Sequence, residues 1–236
     1  MRTGKERSLS WLGHPASAAL CAALSAGCCA MLAFRPMLAE EVRFLFLGWN
    51  LFLAWLPFVA AAAAALLLRS AALQPLCRAA AIAAGVLWLL FLPNALYLAT
   101  DLIHLIVRSN RYIEGGDISY LVWYDLCLFL AFFWCGVFLG FLSTLIMHRL
   151  AADRFGRSAG WAFVAAVSLL CGYGVFLGRI VRLNSWDALV RPDELIGKVL
   201  GNLHWQGAAF SLLFAAFAGV TYLFLYHLQR RSGRGY

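Results

Sequence analysis

Residues 89–105, LLFLPNALYLATDLIHL, decide the class of fold. The stretch begins as a bilayer-soluble run, and Asn94, Tyr97, Asp101 and His104 then interrupt it. Together with Arg108 they are spaced by 3, 4, 3 and 4 residues, which draws one stripe along a helix face. A charge held at mid-bilayer costs about 2.5–3.5 kcal/mol on insertion scales. Such a stripe therefore turns toward other helices or a wet cavity.

The rest of the chain agrees with a membrane setting. Of its 236 residues, 64% are apolar and 13% charged, and the mean hydropathy is +0.80. Soluble domains carry about 25% charged residues, so no water-facing surface can be assembled here. Long apolar runs predict helices, since a barrel would show alternating segments of about 10 residues. The expected fold is all-α and polytopic, with six spans at 15–33, 44–68, 79–103, 122–147, 159–181 and 205–228. Residues 1–14 and 229–236 form short basic tails of this one membrane domain, 15–228. MRTGKERS followed by ASAALCAALSAG fits a removable signal, but the run continues to Phe34, which favours a retained first helix.

The net charge of +8 is dispersed at the ends of the runs, where it reports topology and not a nucleic-acid partner. The N-terminus, the 69–78 and 149–158 links and the C-terminus hold eleven of the 19 basic residues. They hold only Glu6 and Asp153 of the 11 acids. Both termini are therefore expected in the cytoplasm of a bacterial inner-membrane protein. The 35–43, 104–121 and 182–203 segments would face outward.

That orientation brings several polar residues to one level. Asp101 and His104 end the third span, Tyr124 and Asp125 begin the fourth, and Arg179, Arg182, Asn184 and Asp187 leave the fifth. Asn50, near the start of the second, can reach the same cluster. Asp101 and His104 could form a proton relay or a stabilising pair. The arginines offer planar forks for carboxylates or phosphates, or they snorkel to the interface. Pro93 frees the Leu89 carbonyl, and Asn94 serves either as interhelical glue or as a ligand contact. Gly136/Gly140 and Gly174/Gly178 permit close helix approach within the monomer, or a homodimer face. The seven cysteines contain no Cys-x-x-Cys pair and read as packing residues, so neither metal nor cofactor is expected. The nucleotide-binding, zinc-protease and serine-hydrolase motifs are absent.

WNLFLAWLP, LFLPNALYLATDLIHL, WYDL and LGRIVRLNSWD resemble the bacterial DUF1361 family of multi-pass membrane proteins over residues 43–228. The Leu-Pro-Asn…Tyr…Thr-Asp…His string is the most specific part. The resemblance implies a membrane-embedded unit and supplies no reaction.

Three functions are compatible with these residues. An outward-facing polar pocket of Asn94, Tyr97, Asp101, His104, Asp125, Arg179, Arg182, Asn184 and Asp187 could bind or pass a small polar or anionic molecule, or protons. A membrane enzyme could use His104 as base and Asp101 as its orienter, with the arginines on a lipid head group or other anion. The same network could instead be purely structural.

Overall fold

The computed structural model describes residues 15–39, 43–70, 75–107, 112–114, 117–183 and 204–232, with positions 193, 197, 198 and 201. The described helices are α1 (Pro15–Ala39), α2 (Leu45–Ser70), α3 (Pro75–Thr100), the short α4 (Ile103–Val107), α5 (Leu121–Phe155), α6 (Arg157–Phe176) and α7 (Trp205–Ser232). A π-helical turn, Leu177–Val181, continues α6. Two-residue strands, β1 (Ile113–Glu114) and β2 (Asp117–Ile118), form an antiparallel ladder before α5. Six helices are long and apolar enough to cross a membrane, with α4 counted as the extension of α3. The molecule is an all-helical, multi-pass membrane protein.

Side-chain contacts fix how the helices alternate. The end of α1 meets the start of α5 through Arg35 and Asp125. The end of α3 meets the start of α2 and the end of α6 through Asp101, Asn50 and Arg179. At the opposite face the end of α5 meets the start of α6 and the end of α7 through His148, Trp161 and Tyr222. Adjacent spans are thus antiparallel, with an Asp101 face and a His148 face. Gly156, at φ 93°, connects α5 directly to α6 in a conformation that strains a side chain.

α5 is the most buried span, whereas α1 and α7 show most of their surface to the surroundings. Leu47, Ala54, Leu98, Phe129 and Phe132 form the buried centre between α2, α3 and α5. Pro57 and Pro93 lie inside helices, as membrane helices tolerate when neighbouring groups satisfy the freed backbone. α1 runs past position 33, carrying Arg35 and Pro36 within its last turns. The sequence reading assigned both to an outward link; the ion pair to Asp125 holds this segment in the bundle.

Glycines set the closest approaches. A Cβ on Gly136 would collide with the Ala95 carbonyl, and one on Gly140 would lie 3.2 Å from the Ala95 Cβ. Gly174 and Gly178 face Pro93 and Tyr97. Both Gly-x-x-x-Gly pairs therefore face α3 of the same chain. Gly136→Ala should destabilise the protein by about 1–3 kcal/mol, the usual result of overpacking. Gly27→Ala meets nothing within 4 Å and should leave it unchanged or slightly more stable. Reversible unfolding in mixed micelles measures both.

Candidate functional site

Near the end of α3 the Tyr97 carbonyl gathers donors beyond its helical one. The Tyr97 carbonyl accepts from the Asp101 N–H at 3.0 Å, the Thr100 hydroxyl at 2.8 Å and Arg179 Nη2 at 2.8 Å. A guanidinium at a helix C-terminus also meets the negative end of the helix dipole. Asp101 follows in the turn and is fully buried. Its Oδ1 accepts from Arg179 Nη2 at 2.6 Å and its Oδ2 from Asn50 Nδ2 at 2.7 Å. α2, α3 and α6 are thereby joined at one carboxylate.

The π-helical turn is what presents Arg179. It ends at Arg182, whose left-handed backbone (φ 62°, ψ 41°) lets Leu183 N–H reach the Leu177 carbonyl at 3.0 Å. π-turns often mark such displaced functional side chains. The Arg179 guanidinium carbon lies 4.6 Å from the centre of the Tyr97 ring. Tyr97 in turn rests on Gly178, and its hydroxyl makes a long, 3.4 Å hydrogen bond to the Gly174 carbonyl.

Asp125 belongs to a separate pair, so the single cluster expected from the sequence divides in two. Its Oδ1 accepts from Arg35 Nε and its Oδ2 from Arg35 Nη2, both at 2.9 Å, in a two-pronged pair buried from solvent. Tyr112 donates to Oδ2 at 2.8 Å. Phe44, at a positive φ of 62°, places its ring 4.8 Å under the Arg35 guanidinium. Tyr124 donates to the Met31 carbonyl at 2.6 Å, tying α5 to the turn before this pair. The sequence reading missed Arg35 because an arginine followed by proline resembles a link. The available signal was its outward level, which matches that of Asp125.

Of the remaining expected site residues, His104 stays beside the first pair, its backbone N–H donating to the Asp101 carbonyl at 2.9 Å. Asn94 donates to the Phe91 carbonyl at 3.0 Å within α3, beside Pro93. The half-buried His104 ring lies 4.8 Å from the Phe46 ring of α2, while both carboxylate oxygens of Asp101 are engaged by Asn50 and Arg179. Arg182 is exposed. Asn184, Asp187 and Arg108 lie outside the described residues. Among the described residues no three His, Cys, Asp or Glu side chains converge as a metal site, and the seven cysteines are free thiols.

Two further features escaped the sequence reading. At the His148 face, His148 Nδ1 and the Tyr222 hydroxyl are 2.7 Å apart, with Trp161 and Tyr226 packed around the imidazole. A Cβ on Gly160 would lie 2.9 Å from His148 Cδ2, so the absence of a side chain there admits the ring. Between the two faces, a half-open cavity of about 50 Å³ lies among α3, α5, α6 and α7. Leu92 and Leu96, Val137 to Thr144, Val167 to Cys171 and Ala218 to Tyr222 line it. Each helix contributes residues from the middle of its long apolar run.

The charged pairs yield predictions on stability. Arg35→Met leaves Asp125 buried without its partner and should cost about 3–5 kcal/mol, whereas Arg35→Met with Asp125→Leu should recover most of that loss. Unfolding of the single and double variants measures the difference. Burial, with the Asp125 hydrogen bond and charge, pushes the Tyr112 phenol up to about 12, against the pull of Arg35 and Arg43. A folded value above the ordinary 10.0 means that its contribution is complete below about pH 10 and lost as pH rises through 12. Tyr112→Phe should therefore lower stability by a constant amount, about 1–3 kcal/mol, from pH 6 to 9. The gap to the wild type should narrow only above pH 10.

No curated protein and no solved structure matches the chain. A family model does match, over residues 49–221, and its description is a protein of unknown function. That match takes in most of α2 and of α7 and all between them, including Asn50, Asp101, Asp125, Arg179 and His148, and leaves outside it α1 with Arg35, Phe44 and Phe46, and Tyr222 and Tyr226 of α7. The chain belongs to the DUF1361 family.

Proposed function

We propose that this protein is a binding protein of the bacterial inner membrane that holds a small molecule at the bilayer midplane. The observation that carries the reading is the cavity built from the central residues of four spans. The ion pairs at the Asp101 face act as clasps that hold this wall together, because each buried charge already has its partner. Tyr222, in the cavity wall, is bonded to His148 toward the opposite face.

Helical spans suit the inner membrane, since outer-membrane spans are strands of closed barrels. The excess of basic residues favours a cytoplasmic His148 face, which puts the Asp101 face outside. The ligand would thus be reached laterally, through the lipid, or from the cytoplasmic side past Tyr222. Native mass spectrometry of protein extracted in mild detergent tests the reading. The wild type should carry an added small-molecule mass that Ala218→Phe, which fills the cavity, no longer carries. Identical bound masses on the two proteins, both folded, would sink it.

A further inference from the structure

Away from the cavity, a sulfur cluster joins α1 to α5. Cys21, Ser25 and Cys28 follow one another at helical spacing on one face of α1, and Arg35 continues that face toward the helix end. The Arg35–Asp125 pair and the Tyr124 bond to the Met31 carbonyl hold the face against α5. Cys135 of α5 meets it there, with its Sγ 3.1 Å from Ser25 Oγ and 3.9 Å from the Cys21 carbonyl. The Cys28 and Cys135 thiols are hydrogen-bonded to each other, and both residues are wholly buried.

The available protons order this cluster. Trp55 of α2 donates its indole N–H to Ser25 Oγ at 3.0 Å, and Ser25 gives its single proton to the Cys21 carbonyl at 2.8 Å. The Cys135 thiol is then the donor to Ser25, and its sulfur accepts from Cys28. A cysteine that only fills space between helices needs no such partners. Among the described residues no third His, Cys, Asp or Glu joins the two sulfurs as a metal cage would require. Two adjacent thiols can instead give up two electrons and two protons and close to a disulfide. The sulfurs must then approach to about 2.0 Å, and α1, which buries little of its surface in the bundle, can shift toward α5 to allow it.

We infer that Cys28 and Cys135 are a redox pair, oxidised to an interhelical disulfide by a lipid-soluble quinone. Both thiols sit near the middle of their spans, a depth that charged, water-borne oxidants do not reach. A quinone is uncharged and dissolves in the hydrocarbon, and it accepts the same two electrons and two protons that the pair releases. Both S–H bonds break and one S–S bond forms, while the quinone takes up the electrons and protons and leaves as quinol. The approach is past Cys29, which is exposed next to Cys28 on the side of α1 that faces the surroundings. None of these residues lines the cavity, so the pair is independent of the binding reading above.

Decylubiquinone, whose ring has no open position for thiol addition, is the probe for the full chain, reduced and placed in lipid nanodiscs. Oxidation should remove Cys28 and Cys135 together from the thiols that N-ethylmaleimide alkylates after denaturation. Non-reducing digestion should give the Cys28 and Cys135 peptides joined, with quinol formed in equal amount, and dithiothreitol should separate them. Cys28→Ser and Cys135→Ser should each abolish quinol formation, whereas Cys29→Ser and Cys171→Ser should leave it at the wild-type rate. Glutathione disulfide, charged and confined to water, should not form the bond. A disulfide made by copper–phenanthroline and not by decylubiquinone would overturn the quinone assignment. Equal oxidation by glutathione disulfide would overturn the route through lipid. Both thiols still open to alkylation in folded wild type after decylubiquinone and after copper–phenanthroline would overturn the pair itself.

Discussion

The Arg179 guanidinium does three jobs at the end of α3. It donates to the buried Asp101 carboxylate, it donates to the Tyr97 carbonyl, and it covers the Tyr97 ring. The first bond lets an acid exist inside a membrane bundle, because an unpaired carboxylate there would be driven to neutrality or to the surface. The second adds a charged donor to the Tyr97 carbonyl, beside the helical bond from the Asp101 N–H. The third needs α6 to come close, and Gly174 and Gly178 allow that approach. Regular α-helix gives way to a π-turn where Arg179 sits, so the local backbone follows from the position this one side chain occupies.

The Arg35–Asp125 pair repeats the logic on the other side of the bundle. α1 has little buried surface of its own, and its apolar face gains nothing specific by leaving lipid for protein. Packing and polar contacts must then supply the specificity. A two-pronged arginine–carboxylate pair has a fixed geometry, and Tyr112 and the Phe44 ring complete its surroundings. Phe44 adopts an unfavourable backbone for a bulky residue to reach that place. The strain locates the link between α1 and α2 as part of the clasp.

Composition and run length made the six spans legible, because they depend only on how many charges each segment contains. Periodicity placed Tyr97 and Asp101 on one face of α3, and helix direction brought Arg179 and Asn50 to the same level. Partner choice was not legible. Whether Asp125 meets Arg179 or Arg35 depends on which helices are neighbours, and every span here has a similar apolar surface. The π-turn at Leu177–Val181 gave no sequence signal, since LGRIV is ordinary helix composition. His148 went unread for a different cause: its partner Tyr222 lies 74 residues away, on a span whose other residues look lipid-facing.

The cavity was hidden most completely, and its concealment has a physical basis. In lipid, a charged residue is conspicuous because its cost forces a partner on it, and the partner then occupies its bonding capacity. Asp101, Asp125 and Arg179 stand out in the sequence on that account, and the two acids have both carboxylate oxygens engaged within the chain. A threonine costs little in a span, because it can return its hydroxyl to its own helix, so Thr144 and Thr221 look like filler. Only the three-dimensional structure shows that these two make no such return. In a membrane bundle the residues most visible by charge therefore fasten the helices, whereas the weakly polar ones leave no mark in the sequence of the space they line.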